Sequence, residues 1–215
     1  VVHIWYLRGT RSWLAYLLTG TEPKDELKAK QLEKVIYFAA NLVWMVDEDK
    51  RHEDLPNLEV ELQEEKDAIE KERDTEIAER LKELEDEVAE LESEGGKSNE
   101  IKSRRRAAEK DQDEIRERFE EEMDLVQRAF DEFRDLFPRK IIEDEILWRE
   151  MVDRYGDYFE GGMGADAIAR LMEQIDFDTE EETLRNQIDP PEGQKPLSAQ
   201  RKQKAIKRLK IVSAF

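Results

Sequence analysis

The chain has 215 residues, 36 Lys and Arg against 55 Asp and Glu, a formal net charge of −19 and 42% charged residues, where ordinary soluble domains carry roughly 25%. So many charges cannot be buried cheaply, which excludes a uniform globule. The absence of cysteine excludes disulfides, thiolate zinc sites and cysteine nucleophiles. No apolar run reaches the roughly 18 residues that a bilayer span needs, and an acidic chain binds nucleic acid poorly unless its bases cluster. Position 1 is Val, and the sequence stops in the apolar run Ile211-Val212-Ser213-Ala214-Phe215, so we expect a piece of something longer.

The charge is unevenly spread. Residues 54–138 hold 31 acids and 15 bases, a net −16 of the total −19. From Gly193 to Phe215 there are seven bases and no acid. This pattern predicts a near-neutral base, residues 1–53 with 139–215, interrupted by an acidic arm, 54–138, and finished by a basic end.

In chain order, Val1–Leu7 is β-branched and aromatic and predicts a strand. Glu33–Val46 predicts a short helix running into a strand. In the arm, Ile77, Leu81, Leu84, Val88 and Leu91 are spaced 4, 3, 4, 3, and Met123, Val126, Phe130, Phe133 and Phe137 are spaced 3, 4, 3, 4. An average of 3.5 keeps one apolar seam facing a partner helix. Gly95-Gly96-Lys97-Ser98-Asn99 between the seams permits a reversal. Asp54 is placed to cap the first helix with Pro56 in its first turn, and Pro138 stops the second. The arm therefore reads as an antiparallel hairpin, roughly 55–93 against 100–137 with its turn near 94–99, each helix about 55 Å long. The seam is thin near Arg73 and Asp74, where long Arg and Glu stems are expected to cover it. Beyond the arm, helices are predicted over 143–155, 165–175 and 178–188. A linker at Pro190–Pro196 follows, then a basic amphipathic helix from Leu197 to Phe215 with Ala205, Ile206, Leu209 and Val212 on its apolar face. The fold class is α+β, mainly α: a small discontinuous mixed base with a long antiparallel coiled-coil insertion.

Most candidate chemistry dissolves on inspection. Gly162-Met163-Gly164-Ala165-Asp166-Ala167 fits G-x-G-x-x-A, but a dinucleotide site needs a buried parallel strand before it, and Tyr155–Phe159 does not supply one; a glycine-rich helix entry is expected. Asp176, Asp178 and Glu180 alternate as in a calcium loop, yet Glu181 stands where the loop needs glycine, so a capped helix start is expected. His3 reads as a packed strand residue and His52 as solvated. Glu143 and Glu145 are two carboxylates among many. The basic cluster Arg201, Lys202, Lys204, Lys207, Arg208 and Lys210 is the leading candidate contact for nucleic-acid phosphate or an acidic protein face, set against a merely solvated helix face. Arg104, Arg105 and Arg106 near the arm's tip are a second. No catalytic, cofactor-binding or metal-binding residue is assigned.

The opening His3-Ile4-Trp5-Tyr6-Leu7-Arg8, then Leu14 and Leu17-Leu18, then Leu32-Glu33-Lys34-Val35-Ile36-Tyr37-Phe38, resembles the N-terminal clamp region of the β′ subunit of bacterial DNA-directed RNA polymerase. Tyr155-Gly156-Asp157-Tyr158-Phe159, Met163-Gly164-Ala165-Asp166-Ala167-Ile168 and Lys207-Arg208-Leu209-Lys210-Ile211-Val212-Ser213-Ala214-Phe215 resemble it again, in the family's order. Arg11-Ser12-Trp13 stands where the family usually has Pro-Ser-Arg, and Thr21–Gln31 is longer and more charged than usual. The arm resembles the helical insertion that high-GC Gram-positive bacteria carry at this point.

The resemblance implies a clamp segment that serves transcription as a structural and interaction module, inactive alone within a nucleotidyltransferase whose magnesium and zinc are held outside it. It implies other polymerase subunits as partners, σ or another transcription factor through the arm, DNA in the assembly, no membrane, and a cytoplasmic, nucleoid-associated location. The arm's acidic faces would repel phosphates, so a protein contact or a steric role is expected of it. The contrasting classes are an independent coiled-coil scaffold, which leaves the aromatic base unexplained, and a small nucleotide-binding enzyme, which rests on the glycine turn alone.

Overall fold

The computed structural model describes residues 17–18, 27–93, 95, 98–191 and 197–214; the strand expected at Val1–Leu7, with His3, lies outside them, as does most of the linker ahead of Leu197. The chain divides into two compact units, Asp49–Asp135 and the remainder, Val1–Glu48 with Leu136–Phe215. The architecture is mainly helical with one small antiparallel sheet, and the middle of the chain is a helical hairpin, as the sequence patterns predict.

In the base, helix α1 (Ala29–Ile36) leads into strand β1 (Asn41–Val46). Two strands from beyond the arm, β2 (Ile141–Ile142) and β3 (Phe159–Gly162), flank β1 in the order β2-β1-β3, both antiparallel to it. The register places Asn41 opposite Ile142, and Leu42 opposite both Ile141 and Gly162. It slips between Val43 and Met45, so Trp44 is the extra residue, and its Nε1–H donates to Glu160 at 2.9 Å. Leu42 and Val43, fully buried, anchor the centre.

Helix α4 (Glu145–Tyr155) starts where Asp144 accepts from the amides of Ile146 and Leu147 at 3.0 and 3.1 Å, the usual device for the unpaired first turn. Its Trp148 packs edge-on against Phe159, ring centres 5.5 Å apart. A Cβ on Gly161 would fall 2.4 Å from Trp148 Cη2 and 2.9 Å from the Leu42 carbonyl oxygen, so glycine is what lets β3 approach both. Helix α5 (Gly164–Glu173) lays Ala167, Ile168 and Leu171 on α1 and β1 in one core. Helices α6 (Phe177–Ile188) and α7 (Ala199–Val212) build a second core with Leu184, Ala205, Ile211 and Val212; Met172 and Ile175 touch both cores.

The arm pairs α2 (Glu48–Ser93) with α3 (Ser98–Arg134). With 46 and 37 residues, they run about 70 and 55 Å. Cross-helix partners fix the antiparallel register: Lys66 with Gln127, Glu76 with Arg118, Arg80 with Asp111 and Glu87 with Arg104. Each step forward on α2 is a step back on α3. Ile69, Phe119 and Val126 form a buried cluster with Leu62, Ile115 and Met123 against it, and Gly95 turns the chain with φ +75°.

Four details depart from the sequence reading. Helix α2 begins at Glu48 rather than at an Asp54 cap: acids at 48 and 49 suit the positive end of the helix, and Pro56 lies inside it, where it has no N–H to donate to the His52 carbonyl one turn back. Helix α3 ends at Arg134. Phe137 lies outside it and is exposed, its ring 5.6 Å from Lys140 Nζ, while Leu136 is buried instead. Leu81 is exposed because the inward positions of this stretch are 77, 80, 84, 87, 88 and 91, which put the seam one residue earlier at this turn. Arg80 takes the inner position. On α7, Ile206 is exposed and Arg208 is buried, the face having rotated to 205, 208 and 212.

Two substitutions test this packing. Gly161→Ala should cost about 1–3 kcal/mol from overpacking against a ring and a main-chain carbonyl, seen as a lowered thermal midpoint of the base. Phe119→Ala should cost about 3–5 kcal/mol and show as loss of helical circular dichroism from the arm at lower temperature.

Candidate functional site

The basic end condenses onto α7. Ser198 caps the helix, its side chain accepting from the Arg201 amide. Arg201, Lys202, Lys204, Lys207 and Lys210 are all exposed. Lys204, Lys207 and Lys210, three residues apart, follow one another along a ridge of the helix. Among the described residues no ion pair holds any of these five, whereas most arginines of the chain sit against a carboxylate. The first turn of α7 contains no acid, so its cations add to the partial positive charge of the helix start. The arrangement suits an anionic partner.

Arg208 does not join them. It is 5% exposed, and its Nε–H donates to Glu180 Oε1 of α6 at 2.5 Å. Charge complementarity between α6 and α7 made this pairing possible, but an arginine inside a basic run gives no sequence signal of burial. Beside it, Glu181 accepts from Arg185 at 2.5 Å and from the Ser213 hydroxyl at 2.9 Å. The Arg185 hydrogen bond, then that of Ser213, holds the Glu181 carboxyl below its usual range. Asp176 is held low by the Thr179 hydroxyl and then the Thr179 amide. It is the N-cap of α6, so the alternating acids at 176, 178 and 180 are a helix start. Among the described residues no group of three or more His, Asp or Glu could hold a metal.

The glycine motif has a different use. Strand β3 before it is antiparallel to β1, so the parallel unit of a dinucleotide site is missing. Gly164 has φ +81°, and a Cβ there would lie 2.9 Å from Phe38 Cζ: the space beside the turn holds an aromatic ring. Glu143 pairs with Lys34 at 2.6 Å, and Glu145 with Arg149 at 3.0 Å and the Asn41 amide at 3.3 Å. His52 is exposed on α2.

In the arm, Arg104, Arg105 and Arg106 are exposed, with Arg104 3.8 Å from Glu87. The polar layer of the seam centres on Arg80, which reaches Asp111 at 2.8 Å, Glu83 at 3.2 Å and Glu87 at 3.5 Å. Its pKa is raised first by the Asp111 hydrogen bond.

Comparison with known proteins decides what this constellation belongs to. No family model matches the chain. All 215 of its residues align with proteins named DNA-directed RNA polymerase subunit beta′: at 44% identity in Nocardia farcinica, 43% in Mycobacteroides abscessus and 45% in Corynebacterium urealyticum. The chain belongs to the β′ subunit family, as a segment. It spans 15% of the length of each of these relatives. The alignment runs through arm and base alike, so the hairpin is part of what the β′ relatives share with this chain.

Two outcomes follow for the α6–α7 pair. Arg208→Ala removes a buried side chain and leaves the half-exposed Glu180 without its partner, at a cost of about 1–2 kcal/mol, read as a lower thermal midpoint. The depressed carboxyls of Asp176 and Glu181 contribute stability that is present above their unfolded pKa of about 4 and lost as pH falls through their lower folded values. The protection of the amides of α6 and the end of α7, measured as the ratio of intrinsic to observed hydrogen exchange, should therefore fall as the pH drops below about 4.

Proposed function

We propose that this chain forms part of the clamp of a bacterial DNA-directed RNA polymerase and serves transcription as a structural and interaction module. The supporting observation is identity of 43–45% to β′ subunits across every residue, base and arm together. The chemistry of nucleotide transfer, with its magnesium, and the zinc of the parent enzyme reside in this reading outside the segment, and the chain alone is inactive. The exposed cations of α7, Arg201, Lys202, Lys204, Lys207 and Lys210, are the side that meets phosphate or an acidic subunit face. The arm, with its net negative charge, meets σ or another transcription factor, and Arg104, Arg105 and Arg106 offer that partner a cationic spot near the tip. The setting is the bacterial cytoplasm at the nucleoid; no helix among the described residues is long and apolar enough to cross a membrane.

The test is capture. The 215-residue chain, immobilised, is offered purified polymerase subunits, σ factor and duplex DNA one at a time. Capture of at least one polymerase subunit or σ is expected, and Lys204→Glu with Lys207→Glu and Lys210→Glu should weaken the α7-dependent partner about tenfold or more. Capture of none of them would refute the reading.

A further inference from the structure

The outward side of α7 has a narrow composition. On a helix of 3.6 residues per turn, positions 200, 203, 204, 207 and 210 share one side. Ala205, Arg208 and Val212 lie on the opposite side and are buried. The outward side reads Gln200, Gln203, Lys204, Lys207 and Lys210, every one of them exposed. It holds no carboxylate and no aromatic ring. Arg201 and Lys202 extend the positive charge to the helix start. Of the large apolar residues of α7 only Ile206 is exposed, at 37%, and it lies at the margin of this side.

An acidic protein face, a nucleic-acid single strand and a duplex all offer negative charge, and the composition separates them. Protein contacts centre on aromatic, Met and Arg anchors and are depleted in Lys. Here the centre is three lysines, and Arg208 is already engaged with Glu180. A single strand is gripped by stacking its bases on aromatic rings, and this side has none. A duplex backbone asks for long cations and hydrogen-bond donors in a rigid row. Lys204, Lys207 and Lys210 climb about 9 Å along the helix axis, and the neighbouring Gln200 and Gln203 amides are able to donate to phosphate or sugar oxygens. No ion pair among the described residues has to be broken before these lysines reach a phosphate. The charge that would repel DNA, −16 of the −19, belongs to residues 54–138 and not to this helix.

We propose that the Lys and Gln side of α7 binds the phosphate backbone of duplex DNA. This rests on the reading above and deepens it: of the two partners given there for the α7 cations, phosphate and an acidic subunit face, it selects phosphate. Backbone contacts fix where a protein sits on a duplex and carry no sequence information, so α7 holds the duplex in place whatever its sequence.

The test uses the assembled parent polymerase. A photo-cross-linker at Gln203 should join β′ to labelled duplex DNA, with yields equal to within about twofold for two unrelated sequences. A product formed only with another subunit, with σ or with RNA overturns the proposal. Salt titration of duplex binding supplies an independent readout. Lys204→Gln, Lys207→Gln and Lys210→Gln together remove three phosphate contacts and should make the slope of log K against log salt shallower by about 2.7. Lys→Arg at the same three positions keeps the charge and should keep the slope. An unchanged slope in the glutamine variant overturns the proposal. Gln and Lys have nearly equal helix propensity and the three positions are exposed, so the thermal midpoint of the variant enzyme should match that of the unaltered one. Failure of capture in the preceding experiment removes the family reading, whereas a missing DNA cross-link in a DNA-bound enzyme that does contain the chain removes this inference alone.

Discussion

Strand β1 is the constraint on which the base depends. It lies before the arm in sequence, and both strands that complete its hydrogen bonding lie after it: Asn41 finds Ile142, and Val46 finds Phe159. Without them β1 would be a bare strand with unpaired main-chain groups on both edges. Closing a loop of that length costs entropy, but a helical hairpin forms from local contacts and reverses its own direction, so it offsets much of that cost. An acidic insertion in the middle of a sheet is tolerable because it is itself an ordered hairpin.

The arm holds together with little buried apolar area. On α2 only Ile69 and Val88 are buried, against six residues on α3. Between the apolar layer at Ile69 and Phe119 and that at Val88, Arg80 bridges to Asp111, with Glu87 alongside. Replacing such polar layers with leucines often raises stability, so their value lies in register: ionic partners that fit in one alignment only disfavour slippage, a role best attested in coiled coils. The exposed Leu81 and the internal Arg80 are two sides of one fact: at this turn the seam runs through residue 80, whose guanidinium pairs with Asp111 and Glu87.

Charge is divided by location. The arm carries most of the negative charge, and the exposed cations of α7 stand where acids are absent from Gly193 onward. Arg208 shows how tertiary structure edits such a cluster: one of its six cations is withdrawn into the α6–α7 interface by Glu180, leaving five exposed.

Sequence alone determined the features that depend on local physics. Alternating 3- and 4-residue spacing specified the hairpin, the glycine run its turn, and the acids at 176, 178 and 180 a capped helix start, since capping and periodicity act within a few residues. The ordered motifs of both ends were enough to point to β′. The tertiary structure decided what depends on distant neighbours. Whether Leu81 or Arg80 faces α3, whether Arg208 is surface or core, which of Leu136 and Phe137 is buried, and that Phe38 accepts a left-handed backbone beside Gly164 are set by partners tens of residues away or more. Burial is a property of what packs against a residue, and that partner is absent from any local window of sequence.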